Sequence, residues 1–272
     1  MQKRFIVLID FSDYSANLLK YAYSWSTEIG AEILLIHQTS KLISSRVNDA
    51  LRESVVQQNI SESIDELKNF AFKIAPEATN IRCDATYQHL NLHLADLRNE
   101  QYDNMILVGL KGTGILKQIF IGSYAVEIIE QTDTLLAAIP KEVTRFSPKK
   151  IFVAVTDKHP LNLTAFEKFL AFLDHGIESI NFSHLSKPGE HNEDTEQQLN
   201  DLCSRYKGKY TTGITIYEGK NPFENIKKVI NNKTEEILVV QKGSRLLTDP
   251  LFRKFLINDL VYEGHTPLVV LP

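Results

Sequence analysis

Short apolar runs alternate with longer amphipathic segments along this chain of 272 residues. In its first half, such runs predict strands at 4–10, 31–37, 81–87, 105–108 and 134–139. Runs that are apolar throughout are typical of strands buried on both faces of a sheet. Strands that alternate with helices along the chain indicate a parallel sheet with helices on both faces. We therefore predict a doubly wound α/β unit for the first half.

The second half repeats this pattern with a period of about 140 residues. Strands are predicted there at 151–155, 179–184, 210–217, 236–241 and 267–271. Both halves end alike, in LLAAIP at Leu135–Pro140 and in LVVLP at Leu268–Pro272. The segment 140–150 is charged, bracketed by prolines and without an apolar period, which is typical of an interdomain linker. We therefore predict two tandem domains, at 1–142 and 149–272.

Composition excludes several classes of protein. A net charge of −4 offers no basic face for nucleic acid. The two cysteines lie in different halves and indicate no disulfide framework. The apolar run Phe5–Ile9 is too short for a signal peptide, and no run approaches the roughly 20 residues of a membrane span. We expect a cytoplasmic protein that binds neither nucleic acid nor membrane.

The stretch 103–123, DNMILVGLKGTGILKQIFIGS, predicts an anion site. It begins with a buried strand that ends at Gly109, continues through Gly112, and reaches Gly122-Ser123 before the next apolar-periodic segment. Glycines let the backbone approach a ligand closely, and unpaired N–H groups at a helix start attract anions. The alternative, that these glycines only close turns, is less favoured for several glycines after one strand than for a lone glycine.

Neither of the common nucleotide motifs fits this stretch. A dinucleotide fold requires G-x-G-x-x-G, and Gly112-Thr113-Gly114 has no third glycine at the required place. A P-loop requires Gly-Lys-Ser/Thr at the helix start, whereas Lys111 precedes Gly112 here.

The spacing G-x2-G-x9-G-S from Gly109 to Ser123 resembles the signature of the universal stress protein family, in its ATP-binding branch. The letters DFSDYS from Asp10, directly after an apolar strand, also resemble that family's D-F-S-x-x-S opening. The resemblance is strong over 1–140 and weaker but traceable over 149–272.

The resemblance implies an adenine nucleotide alpha hydrolase-like fold in each half, which is a parallel five-stranded sheet with strand order 3-2-1-4-5. It also implies ATP or AMP as the ligand, with or without Mg²⁺. Members of the family usually dimerise, so a tandem chain resembles that dimer in one polypeptide, an intramolecular pseudo-dimer. A further homodimer and unidentified protein partners stay open.

In this strand order, ligands bind beyond the carboxyl ends of strands 1 and 4. The resemblance places the nucleoside at Ile9, Asp10 and Phe11, the adenine at Gln38 and Thr39, the ribose and phosphates at Gly109, Leu110, Lys111 and Gly112, and the phosphates again at Gly122, Ser123 and Tyr124. Asp10 has a structural alternative, because a carboxylate after a strand often caps the next turn or helix. Lys111 has one as well, as a solvated loop lysine.

The second half departs from the motif. Gln241 and Ser244 stand where the two loop glycines should be, and Asn258-Asp259 replaces Gly-Ser. Asp157 corresponds to Asp10 to within one residue. A carboxylate at a phosphate-binding helix start repels the ligand. We therefore predict a degenerate second domain that serves as a structural partner.

Other chemistry is weakly supported. His89 and His93 could share one face of a short helix, but no third ligand is close, so no metal site is predicted. No catalytic residue is identified, and we expect a stress-response regulator with at most slow ATP hydrolysis. The alternative is a scaffold that binds no nucleotide and recruits partners through sheet edges and helices. The aromatic side chains of Phe70, Phe72, Phe166, Phe169 and Phe172 are expected in core or half-buried positions.

Overall fold

The computed structural model describes residues 1–39, 49–98, 101–109, 128, 131–156, 160–173, 176–186, 193–218, 235–244 and 265–272. Its strands are β1 (Gln2–Leu8), β2 (Glu32–Gln38), β3 (Ile81–Thr86), β4 (Tyr102–Gly109), β5 (Leu135–Ile139), β6 (Lys150–Ala154), β7 (Ser179–Ser186), β8 (Thr211–Glu218), β9 (Glu236–Gln241) and β10 (Leu268–Leu271). The described helices are α1 (Asp13–Ile29), α2 (Asp49–Ile74), α3 (Leu90–Leu97), α4 (Leu163–Phe172) and α5 (Glu193–Tyr206). Each strand lies within three residues of its predicted bounds, so the predicted strand pattern is confirmed.

The ten strands of the described residues form one sheet in the order β3-β2-β1-β4-β5-β10-β9-β6-β7-β8. The first half (β1–β5) and the second half (β6–β10) each have the order 3-2-1-4-5, and neighbours within each half are parallel. The halves join through β5 and β10, which are antiparallel, with Val269 opposite Ala137. Because like strands meet antiparallel, the halves are related as the subunits of a twofold dimer, and the predicted pseudo-dimer is confirmed.

Helix α1 shows how local sequence sets these elements. The residues that repeat at helical spacing along it are buried: Leu18, Leu19, Ala22 and Trp25. The helix ends at Gly30, which has a φ of 65° and donates its N–H to the carbonyl of Ser26. Glycine adopts this left-handed conformation without the steric cost that a Cβ brings. The pair Ile29-Gly30 therefore ends the helix.

Helices cover both faces of the sheet. Alternate side chains of a strand point to opposite faces. Val7 and Leu107 belong to the buried cluster that also contains side chains of α1, α2, α4 and α5. Ile6 and Ile106 belong to the opposite cluster, which contains side chains of α3. Each cluster includes residues of both halves, so apolar burial joins the halves as well as filling each one.

The segment between β5 and β6 is more than a polar linker. Val143 and Phe146 are both buried, and the Phe146 ring stacks on Trp25 with centroids 4.2 Å apart. The sequence predicted a charged linker without an apolar period at 140–150, and the structure adds that two of its apolar side chains are buried. Isolated apolar residues among charged ones carry no periodic signal, yet two of them are enough to fix this segment on α1.

The prediction that Phe72 lies in a core or half-buried position is wrong. Phe72 is 68% exposed, whereas Phe166, Phe169 and Phe172 are buried and Phe70 is half-buried. Two residues along a helix correspond to a turn of about 200°, so Phe70 and Phe72 cannot both face the sheet.

None of the described helices is both long and apolar enough to cross a bilayer.

Candidate functional site

The carboxyl ends of β1 and β4 lie side by side. Val7 of β1 pairs with Leu107 of β4 in parallel, so two residues further on Ile9 is level with Gly109. Since β1 is also flanked by β2, this is the point at which the strand order reverses. Open α/β sheets bind their ligands in the crevice at such a point. The two segments that the sequence singled out, after Leu8 and at Gly109, therefore meet at one edge of the sheet.

Asp10 lies exposed at this edge and holds the turn into α1. Its Oδ1 accepts a 3.0 Å hydrogen bond from the Ser12 N–H and a 2.8 Å hydrogen bond from the Ser15 hydroxyl. The Asp10 N–H in turn donates to Ser15 Oγ over 3.3 Å. The capping role considered for this carboxylate is thus present. These two hydrogen bonds also hold the exposed carboxylate of Asp10 in one orientation at the mouth of the crevice.

Phe11 adopts a strained backbone conformation. Its φ of 56° lies in the left-handed region, and among the described residues no other non-glycine has a positive φ. Such a conformation costs on the order of 1 kcal/mol and persists only where surrounding contacts enforce it. The Phe11 ring packs against His37 at 4.7 Å and meets the edge of Phe70 at 5.7 Å. These contacts hold the turn in place.

His37 fixes the main chain on the other side of the same turn. Its Nδ1 lies 2.8 Å from the carbonyl oxygen of Ile9. A carbonyl can only accept, so Nδ1 carries the proton in this contact. The histidine is therefore a structural wall of the crevice.

Gln38 ends β2 and Thr39 follows it, and neither residue is exposed. Thr39 is only 4% exposed, and its N–H donates to the carbonyl of Thr86. Gln38 is half-buried and donates its side-chain amide to the carbonyl of Gln88 over 3.0 Å. Both residues lie at the carboxyl edge beside Ile9, but their described hydrogen bonds tie β2 to the segment after β3.

The described neighbours of Gly109, at the end of β4, show whether their packing requires glycine there. A Cβ at this residue would lie 3.6 Å from Tyr14 Cβ and 4.0 Å from Leu18 Cδ2, which are ordinary van der Waals distances. Among the described residues, no neighbour would clash with alanine at this position. Glycine at this position fits a site where another molecule must approach the backbone closely.

The rest of the predicted cradle lies outside the described residues. This applies to Leu110, Lys111, Gly112, Gly122, Ser123 and Tyr124. The described part of the following helix comprises Ile128 and Gln131, and Thr132 donates its N–H to the carbonyl of Ile128 over 2.9 Å.

The matching position of the second half is filled by a side chain. Gln241 pairs with Leu271 at the end of β9, as Gly109 pairs with Ile139 at the end of β4. The Gln241 amide donates to the carbonyl of Pro272 over 2.7 Å, and its Oε1 accepts from the Asn162 N–H over 3.0 Å. The glutamine thus ties β9 to the chain end and to the start of α4.

The structure also sets the register of the second half. The Val155 N–H donates to Ser183 as the Ile9 N–H donates to Ile36, and His184 Nδ1 lies 2.9 Å from the Val155 carbonyl, repeating the His37 contact. Val155 is therefore the counterpart of Ile9. The residue at the Asp10 position is Thr156, so the proposed equivalence of Asp157 is off by one, and Asp157 itself lies outside the described residues.

His89, which precedes α3, and His93 within it contact different residues. His93 Nε2 lies 2.8 Å from Asp84 Oδ2 on β3, and this hydrogen bond holds the pKa of Asp84 below its ordinary value. His89 Nδ1 lies 3.4 Å from the side-chain amide of Asn91. Within the described part of the chain, no three His, Cys, Asp or Glu side chains are grouped as a metal site would require.

Sequence reasoning predicted Phe11 as a site residue but missed its strained backbone, and it missed the contacts of Lys242 with the first half. Lys242, next to Gln241, reaches into the first half and contacts Thr132 and Asp133. No local pattern marks either feature, since both depend on neighbours distant in sequence.

Comparisons with known proteins agree with this architecture. The sequence model of the universal stress protein family matches residues 1–140. No protein with a curated description matches the chain. A universal stress protein from Archaeoglobus fulgidus DSM 4304 is similar in structure, with a TM-score of 0.66, 20% identity, and coverage of 98% of this chain and 97% of that one. The cytoplasmic domain of a prokaryotic cation chloride cotransporter has a TM-score of 0.54 at 9% identity, over 100% of this chain and 96% of that domain.

At these identities the two structures establish the fold alone. The family itself is established by the sequence match, which spans more than half of the chain and includes both β1 and the glycine segment. Strand order, the junction of β1 and β4 and the family match all agree, and the chain belongs to the universal stress protein family.

Proposed function

We propose that this protein is a stress-response regulator whose first half binds an adenine nucleotide, ATP or AMP, between the carboxyl ends of β1 and β4. One observation carries the proposal: β4 ends in a glycine at which no described neighbour would clash with a Cβ, whereas its counterpart Gln241 occupies that position with a hydrogen-bonded side chain. The first half has Gly109 and Asp10 at this edge, whereas the second half has Gln241 and Thr156 at the corresponding positions.

The residues at this edge fit the parts of a nucleotide. Asp10 offers an exposed carboxylate that Ser12 and Ser15 hold in place, which suits a donor such as a ribose hydroxyl. The main chain of Ile9 and Phe11 forms the wall beside it. Gly109 leaves room for the ligand to approach the backbone. By family resemblance, Gly112 and Gly122-Ser123 would receive the phosphates on backbone N–H groups and a hydroxyl. Bound Mg²⁺ would add positive charge at the phosphates.

The proposed role is regulatory rather than catalytic. A phosphoryl-transfer enzyme needs a group that activates the attacking nucleophile. The described residues of the crevice offer Asp10, whose Oδ1 is engaged with the turn, and His37, whose Nδ1 is engaged with Ile9. We therefore propose slow hydrolysis at most, with nucleotide occupancy altering conformation or partner choice.

Titration of the purified protein with ATP and with AMP, each with Mg²⁺ and with EDTA, tests the proposal. Binding at 100 times the dissociation constant should stabilise the fold by about 2.7 kcal/mol, which a thermal shift detects. Gly122→Asp introduces a side chain and a negative charge into the cradle and should abolish binding. Gly176→Asp is the control, because it adds the same charge at an exposed residue of the second half. No heat and no thermal shift at millimolar nucleotide would refute the proposal.

A scaffold function is the second candidate, and the sheet edges favour it. Among the described strands, β3 and β8 lie at the two edges of the sheet, and Ile214 on β8 is 37% exposed. Exposed edge strands are templates for pairing with another chain. If the protein bound no nucleotide but captured a partner, and Ile214→Lys abolished that capture, the scaffold would replace the nucleotide-binding function. The same variant would show whether a homodimer forms through this edge.

A further inference from the structure

His37 contacts the residues on both sides of Asp10. Its Nδ1–H donates a 2.8 Å hydrogen bond to the Ile9 carbonyl, and its ring lies 4.7 Å from the ring of Phe11. The Ile9 N–H donates over 2.9 Å to the carbonyl of Ile36, the residue before His37. Both main-chain groups of Ile9 are therefore held by β2, and the exposed Asp10 lies between the two residues that His37 contacts.

The backbone of Phe11 depends on such contacts. Its φ of 56° lies in the left-handed region, which a residue with a Cβ adopts only where its surroundings compensate for the strain. The rings that contact Phe11 are those of His37 and of Phe70 on α2, the latter edge-on at 5.7 Å. Without the His37 contacts, Phe11 could return to a negative φ. Asp10 would then move as well, because the two residues share a peptide bond.

The second half repeats only part of this arrangement. His184 Nδ1 lies 2.9 Å from the Val155 carbonyl, which matches the hydrogen bond of the first half. Thr156 and Asp157 follow Val155 in sequence, so the second half has neither a carboxylate at the position of Asp10 nor an aromatic residue after it. The histidine hydrogen bond is thus shared by both halves. The half that has the carboxylate also gives the histidine ring an aromatic partner.

We propose that His37 is a positioning residue for the ligand of the first half. It holds the turn in the strained conformation that keeps Asp10 at the mouth of the crevice, where the carboxylate would accept a donor such as a ribose hydroxyl. This inference rests on the proposed function. His37 acts through its neighbours in this role, since its Nδ1 is engaged with the main chain. The affinity for the ligand then depends on the fraction of molecules in which the turn is formed.

Matched substitutions in the two halves separate positioning from a general loss of stability. His37→Leu removes both the donor and the ring that contact the turn. His184→Leu removes the same donor in the second half, where Thr156 stands at the position of Asp10. His37→Asn loses the ring but keeps a side-chain amide as many bonds from the main chain as Nδ1, so it can still donate to Ile9.

Amide exchange in nucleotide-free protein tests the turn itself. His37→Leu should speed exchange of the Asp10 and Ser12 amides, which donate to Ser15 Oγ and to Asp10 Oδ1 within the turn. His184→Leu should leave both amides unchanged. NMR resolves the individual exchange rates. Wild-type rates at both amides in His37→Leu would overturn the inference, because the turn would then form without the histidine.

ATP titration measures the consequence for binding. His37→Leu should weaken binding about five-fold, because a released turn adopts less strained conformations most of the time. His184→Leu should bind as wild type does. His37→Asn should bind with an affinity between those of wild type and His37→Leu, because it keeps the hydrogen bond to Ile9.

Two outcomes of the titration would contradict the inference. Equal weakening by His37→Leu and His184→Leu would show that a general loss of stability lowers the affinity. If His37→Leu does not fold, His37→Asn takes its place, and wild-type affinity in that variant would exclude positioning by the ring.

The measurements also separate this inference from the proposed function. Wild-type protein that binds neither ATP nor AMP would refute the proposed function. Wild-type protein that binds ATP, with His37→Leu binding equally well, would refute the inference alone.

Discussion

Trp25 Nε1 donates a 2.7 Å hydrogen bond to the carbonyl oxygen of Phe172, which lies in the other half of the chain. The indole also stacks on Phe146 and contacts Phe5, whose ring lies 5.6 Å from Phe172. One side chain of α1 thus joins the first strand, the connecting segment and the end of α4. The halves are therefore held together by a packed, hydrogen-bonded junction in addition to the strand pair β5–β10.

Trp25→Phe should destabilise the whole chain. The phenyl ring keeps most of the packing but leaves the buried Phe172 carbonyl without its donor, which costs about 1–3 kcal/mol. Denaturant unfolding followed by circular dichroism measures the change. Because Trp25 of the first half is hydrogen-bonded to Phe172 of the second, we expect one transition at a lower midpoint. A change below about 0.5 kcal/mol, the usual range for surface substitutions, would show that the hydrogen bond does not hold the halves together.

Gly30→Ala should cost about 1 kcal/mol of stability, the typical penalty of placing a Cβ in the left-handed conformation. Gly30 has a φ of +65°, and a Cβ built there meets nothing within 4 Å, so backbone strain is the whole expected effect. Gly176→Ala is the matched control, because its added Cβ would make an ordinary 3.5 Å contact with Pro148. Equal stabilities of the two variants in thermal unfolding would contradict this account.

Sequence predicted the features that arise from short-range patterns. Strands and helices follow from apolar period, the end of α1 follows from Gly30, and the meeting of Asp10 with Gly109 follows from strand order. Each needs only neighbours in sequence or a general rule of α/β topology. The pseudo-dimer followed from family resemblance rather than from the residues themselves, and its β5–β10 junction was seen only in the structure.

Sequence could not predict features that depend on long-range packing. Phe146 sits in a charged segment, and its burial requires Trp25 to be in place opposite. The correspondence of Thr156 with Asp10 required the strand registers, because the two loops differ in length and composition. Lys242 resembles any loop lysine until the antiparallel joint brings Thr132 beside it. In each case the partner lies more than 100 residues away or in the other half.

Asp84 should make stability depend on pH in the acid range. The hydrogen bond from His93 lowers the pKa of Asp84 in the folded state below its ordinary value of 3.8. A lowered folded pKa means that the stabilisation is fully present above about pH 4 and is lost as the pH falls through the folded pKa. Asp84→Asn should therefore be less stable than wild type at pH 7, and the two curves should converge below pH 3. The side chain is 35% exposed, so the difference is expected to be small. Parallel curves from pH 7 to pH 2.5 in urea unfolding would exclude this contribution.

Gln241→Ala should destabilise the second half without creating a nucleotide site. The substitution removes an acceptor for the Asn162 N–H and a donor for the Pro272 carbonyl, and it leaves a gap beside β10, so we expect a loss of about 1–2 kcal/mol. Gln197→Ala is the control, because that amide bonds only to Asp201 on an exposed helix face and should change stability by less than about 0.5 kcal/mol. Removing the glutamine does not restore a carboxylate at the Asp10 position or a glycine at the predicted helix start. ATP titration of Gln241→Ala combined with Gly122→Asp should therefore show no binding. Nucleotide bound by this double variant would mean that the glutamine alone had closed the second crevice.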